Sequence, residues 1–256
     1  MNREHISQAE LAGRLGQKPE LDQTSGGVTF ARLNIATSER YTDRSGEIRE
    51  KTEWTRAVAW GDLAESIANR FDKGSPIVLA GAMRVNSYEK DGAKNRVLEL
   101  HVDSAEPNLE AGTCRNEARL VGAVRSVESK TLDSGTAMTV LSVGTTTKQN
   151  GKDREDWHSV TLWGRTAESG AKQIAVGDLI SVNGSIRHRS VPGADGIERR
   201  LSAIDGRQFQ VLERAKERDH DQAAPAKTPD LASEAGGAAP PRARSRQRGK
   251  SVERDM

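Results

Sequence analysis

The chain has 256 residues, 34% hydrophobic and 30% charged, with a formal net charge of +2; that length holds one or two ordinary domains. No run approaches the ~20 continuous apolar residues that span a bilayer, and the opening MNREHISQAE lacks the apolar core of a secretory signal, so a cytoplasmic protein without membrane contact is expected. One cysteine, Cys114, excludes an internal disulfide framework, and five scattered histidines lack metal-ligand spacing, so neither cofactor nor metal is expected.

In chain order, an opening LAGRL (11–15) leads into alternating stretches at 28–36, 51–60, 77–85 and 96–102, which read as half-buried strands. Between the third and fourth strands lies a short helix. Its Leu63, Ile67 and Phe71 fall at i, i+4, i+8, flanked by Ala64 and Ala68, and form one apolar stripe. The pattern then starts again. TEWTRAVAWGDLAE (52–65) returns as EDWHSVTLWGRTAE (155–168), so that Trp54 matches Trp157 and Trp60 matches Trp163. Gly74 matches Gly177, Gly81 matches Gly184, and LAGRL matches LVGAV (120–124). All four tryptophans of the chain sit at these repeated positions, so the chain reads as two copies of one domain. In the second copy the strands are 139–143, 157–163 and 180–186, and a weaker helix stripe runs through Ala167, Ala171 and Ile174.

Five short strands with a helix after the third is the order of a small Greek-key barrel, the OB-fold. The expected organisation is all-β: a first OB-fold over 1–108, a linker at 109–116, a second OB-fold over 117–212, and a tail from 213 to 256. The tail is rich in Ala, Pro, Gly and charge and carries Arg242, Arg244, Arg246, Arg248 and Lys250 near its end. Such a composition buries too little apolar area to offset chain entropy, so disorder is expected there.

Strand parity locates the chemistry. Successive side chains point to opposite faces, so Trp54, Arg56, Val58 and Trp60 share a face opposite Thr55, Ala57 and Ala59. Trp157, Ser159, Thr161 and Trp163 likewise lie opposite His158, Val160 and Leu162. An outward row of aromatics with an arginine suits unpaired bases, whose flat faces stack on rings for ~1–3 kcal/mol each, while the guanidinium attracts phosphate. Arg84 and Arg187, at matching strand ends, would add basic charge. The plainer alternatives are core tryptophans and solvated arginines; His101 and His158 read as structural residues.

At this point the residues resemble a known family. GRLG (13–16), LNIATSE (33–39), TEWTR (52–56), WGDLAE (60–65), KGS (73–75) and the hairpin from Gly81 to Tyr88 are similar to bacterial single-stranded DNA-binding proteins, over nearly all of residues 5–105, with 117–212 a diverged relative. The resemblance implies that aromatics in the 2–3 loop, on the third strand and in the 4–5 loop stack on bases; these are Tyr41, Trp54, Trp60 and Tyr88. In the second copy only Trp157 and Trp163 remain, so fewer bases are expected to stack there. It also implies sequence-independent single-stranded DNA binding in replication, recombination and repair, a nucleoid-associated location, and four OB-folds per assembly, which a homodimer supplies. The family's acidic C-terminal tip, which recruits replication and repair proteins, has no counterpart in SVERDM (251–256), so recruitment by that route is not expected. An OB-fold accessory factor of primosome or conjugation type, and an RNA-binding module, remain alternatives. An enzyme is not expected, because the acidic residues are dispersed and Cys114 has no histidine near it in sequence.

Overall fold

The computed structural model describes residues 4–215 except 44, 91–92, 111, 150 and 193–197, with backbone alone at 87–90, 93–95, 149, 191–192 and 198–200. The expected disordered tail, with its arginines, lies outside the described residues from 216 onward. The first copy comprises β1 (Ile6–Leu15), β2 (Glu20–Gln23), β3 (Thr29–Thr42), β4 (Ile48–Trp60), α1 (Gly61–Arg70), β5 (Pro76–Lys90) and β6 (Ala93–Pro107). The second comprises β7 (Arg115–Thr131), β8 (Ala137–Gln149), β9 (Lys152–Trp163), α2 (Gly164–Gln173), β10 (Leu179–Pro192) and β11 (Glu198–Glu213).

Each copy closes into a five-stranded barrel. In the first the ring runs β1, β3, β4, β6, β5 and back to β1; in the second it runs β7, β8, β9, β11, β10 and back to β7. One contact per ring is parallel, β4 with β6 and β9 with β11. This is the OB-fold, and alternation built it: Leu11, Leu33, Ile35, Ala57, Ala59, Ile77, Leu79 and Leu100 point inward at 3% exposure or less. Each large aliphatic among them contributes roughly 1.5–3 kcal/mol by leaving water. In α1, Ala64 and Ile67 are buried and Phe71 just beyond is 5% exposed. In α2 the expected stripe needs correction, because Ala171 is exposed and Gly170 takes its place beside Ala167 and Ile174. A Cβ on Gly170 would stand 2.6 Å from the Leu162 side chain, so glycine lets this helix sit closer to its barrel.

The strands outrun their sequence signal. β3 and β4 continue past the barrel as a ribbon paired out to Thr42 and Ile48, and residues 48–52 are all exposed. With both faces wet there is no alternation to read. The extra strand β2, four exposed residues paired to β3, is silent for the same reason. The repeated Gly81 and Gly184 each sit at a register shift. A Cβ there would lie 2.0 Å from the His101 carbonyl oxygen and 2.2 Å from that of Asp205, so the local bend requires glycine.

The two barrels join through β1 and β7, antiparallel from Ile6 opposite Val121 to Ala12 opposite Arg115, which makes one eleven-stranded sheet. Ala9 faces Ala118 at the centre. These are equivalent residues of the two copies, so a pseudo-two-fold axis passes between them, and the polar contacts obey it. Arg84 reaches Asp156 at 3.1 Å, and Arg187 reaches Glu53 at 3.5 Å. Each is an arginine of one barrel on a carboxylate of the other, at matched positions. Ser7 Oγ donates to the Met83 carbonyl at 2.8 Å; at the equivalent place Asn116 bonds both the N–H and the C=O of Ile186 at 2.9 Å.

His158 lies at this seam, 1% exposed, with Ser7 Oγ and Thr145 Oγ1 each 3.2 Å from Nε2. Its expected structural role agrees with this burial. Desolvation holds its pKa down at about 4, against 6.5 when exposed. The unfolded chain therefore takes up a proton there first. Stability is full above pH 6.5 and is expected to fall as pH drops toward 4, by up to about 1.4 kcal/mol per pH unit. Urea unfolding of wild type and His158→Gln at several pH values checks this; an equal slope in both proteins over that window would contradict it.

Candidate nucleic-acid interface

β4 presents the platform. Trp54 and Trp60 are each 41% exposed, and Arg56 between them is exposed and forms no ion pair among the described residues. Val58, on the same face, is 5% exposed, flanked in register by Arg32 of β3 and His101 of β6. Trp60 leans on Phe30, with ring centroids 5.3 Å apart and planes 42° apart, and His101 lies 6.4 Å from it. Burial pushes the His101 pKa down, so at neutral pH an uncharged ring borders Trp60. Under Trp54 lies Gly16, where a Cβ would come within 2.4 Å of the indole. Glycine here lets the indole lie close on the backbone while the residue stays 41% exposed. The face as a whole is a shallow apolar shelf with an exposed cation in its middle, suited to flat, unpaired rings joined by a polyanion.

The second barrel repeats the tryptophans but covers them. Trp157 and Trp163 are half-buried. The Arg125 guanidinium lies 5.1 Å from the Trp157 ring centroid, and that of Arg189 lies 4.8 Å from Trp163. Arg189 is held by Asp205 at 3.0 Å. Ser159 stands where the first barrel has Arg56, and Thr161, 4% exposed, stands where it has Val58. The shelf is therefore narrower and already occupied by guanidinium.

Among the other sequence-selected residues, Tyr41 is 48% exposed on the β3–β4 ribbon. It pairs with Arg49, whose parity places both on the ribbon face opposite Trp54. The backbone of Tyr88 pairs with Asn95, but its side chain lies outside the described residues. Arg84 and Arg187 are placed differently from the expectation. Their side chains are 14% and 13% exposed, and they are engaged in the interdomain pairs with Asp156 and with Glu53 and Glu39, so they do not form an open basic strip. The sequence reading missed Phe30, whose signal was only its register opposite Trp60, and Arg125, which the repeat aligns with Gly16. Among the described residues no group of three or more His, Cys, Asp or Glu is placed to hold a metal ion.

The single-strand binding protein family matches the chain over residues 6–108 and 115–212. A relative named single-stranded DNA-binding protein 1, from Chlorobaculum tepidum, is 35% identical over 97 residues, which is 37% of this chain and 60% of that protein. The single-stranded DNA-binding protein of Thermus aquaticus is 27% identical over 213 residues, 77% of this chain and 80% of the relative. The crystal structure of the wild-type Thermus aquaticus protein superposes with a TM-score of 0.69 at 25% identity, covering 87% of this chain and 98% of that one. A deletion mutant of the same protein gives 0.70 at 24% identity, covering 84% and 99%.

Proposed function

The chain belongs to the single-strand binding protein family, and on that premise we propose that it sequesters single-stranded DNA by stacking bases on Trp54 and Trp60 while Arg56 meets the phosphates. The observation that carries the reading is the exposed row on β4, two indoles 41% exposed with an arginine between them on the outer face of a barrel. A duplex hides its base faces and gains little from such a shelf. Every unpaired base has a π-face, so no sequence code is needed. Trp157 and Trp163 extend the path on the second barrel, and Tyr41 and Tyr88 add aromatic contacts from the ribbons. Binding protects single strands in replication, recombination and repair, and no catalytic step belongs to it.

A homodimer would bring four such barrels together. Its mass is expected at about 56 kDa, twice the 27.8 kDa of one chain, in light scattering at micromolar concentration; a monomer mass would refute it. The binding itself is tested by fluorescence anisotropy with labelled oligo-dT across a salt series. Affinity is expected to fall steadily with salt as phosphate contacts release counterions, with log K dropping by about 0.7 per contact for each tenfold rise. A flat response would remove the electrostatic part of the account. Oligo-U of the same length is expected to bind more weakly; tighter binding of oligo-U would favour an RNA ligand.

A further inference from the structure

The repeat makes the two barrels comparable residue by residue, and their tryptophans differ in one systematic way. Leu15 and Val124 are equivalent: their N–H groups bond the carbonyls of Ser75 and Asp178, and their own carbonyls accept from Gly74 and Gly177. The next residue is Gly16 in the first barrel and Arg125 in the second. Gly16 itself has no side chain to lay on Trp54. At Arg125 a guanidinium lies over Trp157, 5.1 Å from its centroid. Arg125 is exposed and forms no ion pair among the described residues. Among the described residues its charge is offset by the indole face, an attraction of roughly 0.5–1 kcal/mol at an exposed site. The second couple follows the same rule. Arg189 lies over Trp163, whereas its equivalent Asn86 bonds Glu99 at 2.8 Å. Arg189, however, is neutralised by Asp205.

We infer that Arg125 is a further DNA-contacting residue, a phosphate-binding guanidinium beside Trp157 that supplies the second barrel with the cation its platform lacks at Ser159. The inference rests on the reading that this chain binds single-stranded DNA. A guanidinium stacked on an indole keeps its outer face and its in-plane N–H groups free. It can accept a base on that face and a phosphate at its edge, so the couple adds a charge to the ring. Each phosphate so held releases counterions. Binding through Arg125 should thus weaken as salt rises, in addition to the salt dependence that Arg56 gives the first barrel.

The test uses the full chain, with Arg125→Gln and Arg125→Lys measured against wild type by anisotropy with labelled oligo-dT from low to high salt. Thermal melting establishes that both variants fold. For Arg125→Gln the expected result is an affinity loss of about fivefold at low salt, a salt slope shallower by about 0.7, and convergence with wild type at high salt. Arg125→Lys, which keeps the charge, should keep the slope. An unchanged Arg125→Gln titration at every salt overturns the inference. So does tighter binding with deeper tryptophan quenching, since the guanidinium would then be covering Trp157 against bases. If wild type itself leaves oligo-dT free, it is the DNA-binding reading that fails, and the variants need not be made.

Discussion

Asp156→Ala is expected to destabilise the chain by about 3–5 kcal/mol, the cost of leaving a buried charge unpaired. The Asp156 side chain is 2% exposed and serves two guanidiniums, Arg84 across the seam at 3.1 Å and Arg154 on its own strand at 3.1 Å. It also accepts the Val85 N–H at 3.2 Å. Burial alone would raise its pKa, but the bonds from Arg154, Val85 and Arg84 outweigh that and hold it below the ordinary aspartate value. It is therefore ionised at neutral pH. Its contribution is present above the unfolded-state pKa and is lost only as pH falls through the lower folded one. Removing it strands Arg84, 14% exposed, against the other barrel. The double change Arg84→Met with Asp156→Asn, which removes both charges, nearly keeps the volume and leaves an acceptor for the Val85 N–H, should restore much of the loss. Chemical denaturation checks both; a loss under about 1 kcal/mol for Asp156→Ala would mean that water reaches the pair as at a surface.

The double variant Trp54→Ala with Trp60→Ala is expected to lose most of the single-stranded DNA affinity while remaining folded. Each ring stacked on a base contributes ~1–3 kcal/mol, or about 5- to 150-fold per tryptophan. The indoles are 41% exposed and lie outside the barrel core, so truncation leaves that core intact. Trp60 does contact Phe30, and some local loosening is expected there. Trp157→Ala should cost less, because Arg125 already occupies one face of that ring and remains to hold phosphate. A larger affinity loss from Trp157→Ala than from Trp54→Ala would reverse the ranking of the barrels.

What the sequence revealed followed burial. Where one strand face is dry and the other wet, as in 53–57 or 180–183, alternation marks the strand, and the helix stripe of Ile67 and Phe71 marks the barrel cap. Where both faces are wet, as along 48–52 or in β2, the signal disappears although the hydrogen-bonded ladder continues. The outward pair Trp54 and Trp60 was legible because parity alone assigns their face. The fate of Arg84 was not. Its partner Asp156 lies 72 residues away in another barrel, and a basic strand end looks the same whether it meets a phosphate or a carboxylate. The β1–β7 seam was silent too, since sheet edges pair through backbone groups that every residue carries. The arginine covers of the second barrel were visible only as an alignment of Arg125 with Gly16, which acquires meaning once the indole is seen beneath the guanidinium.

The central claim is that the exposed tryptophans receive unpaired bases, and intrinsic tryptophan fluorescence reports on it most directly. Titration with oligo-dT should quench the emission strongly and to saturation, with most of the quenched signal removed in the Trp54→Ala, Trp60→Ala variant, while a duplex of equal length leaves the emission nearly unchanged. Equal quenching by duplex, or none by oligo-dT, would contradict the account and return these rings to a purely structural role.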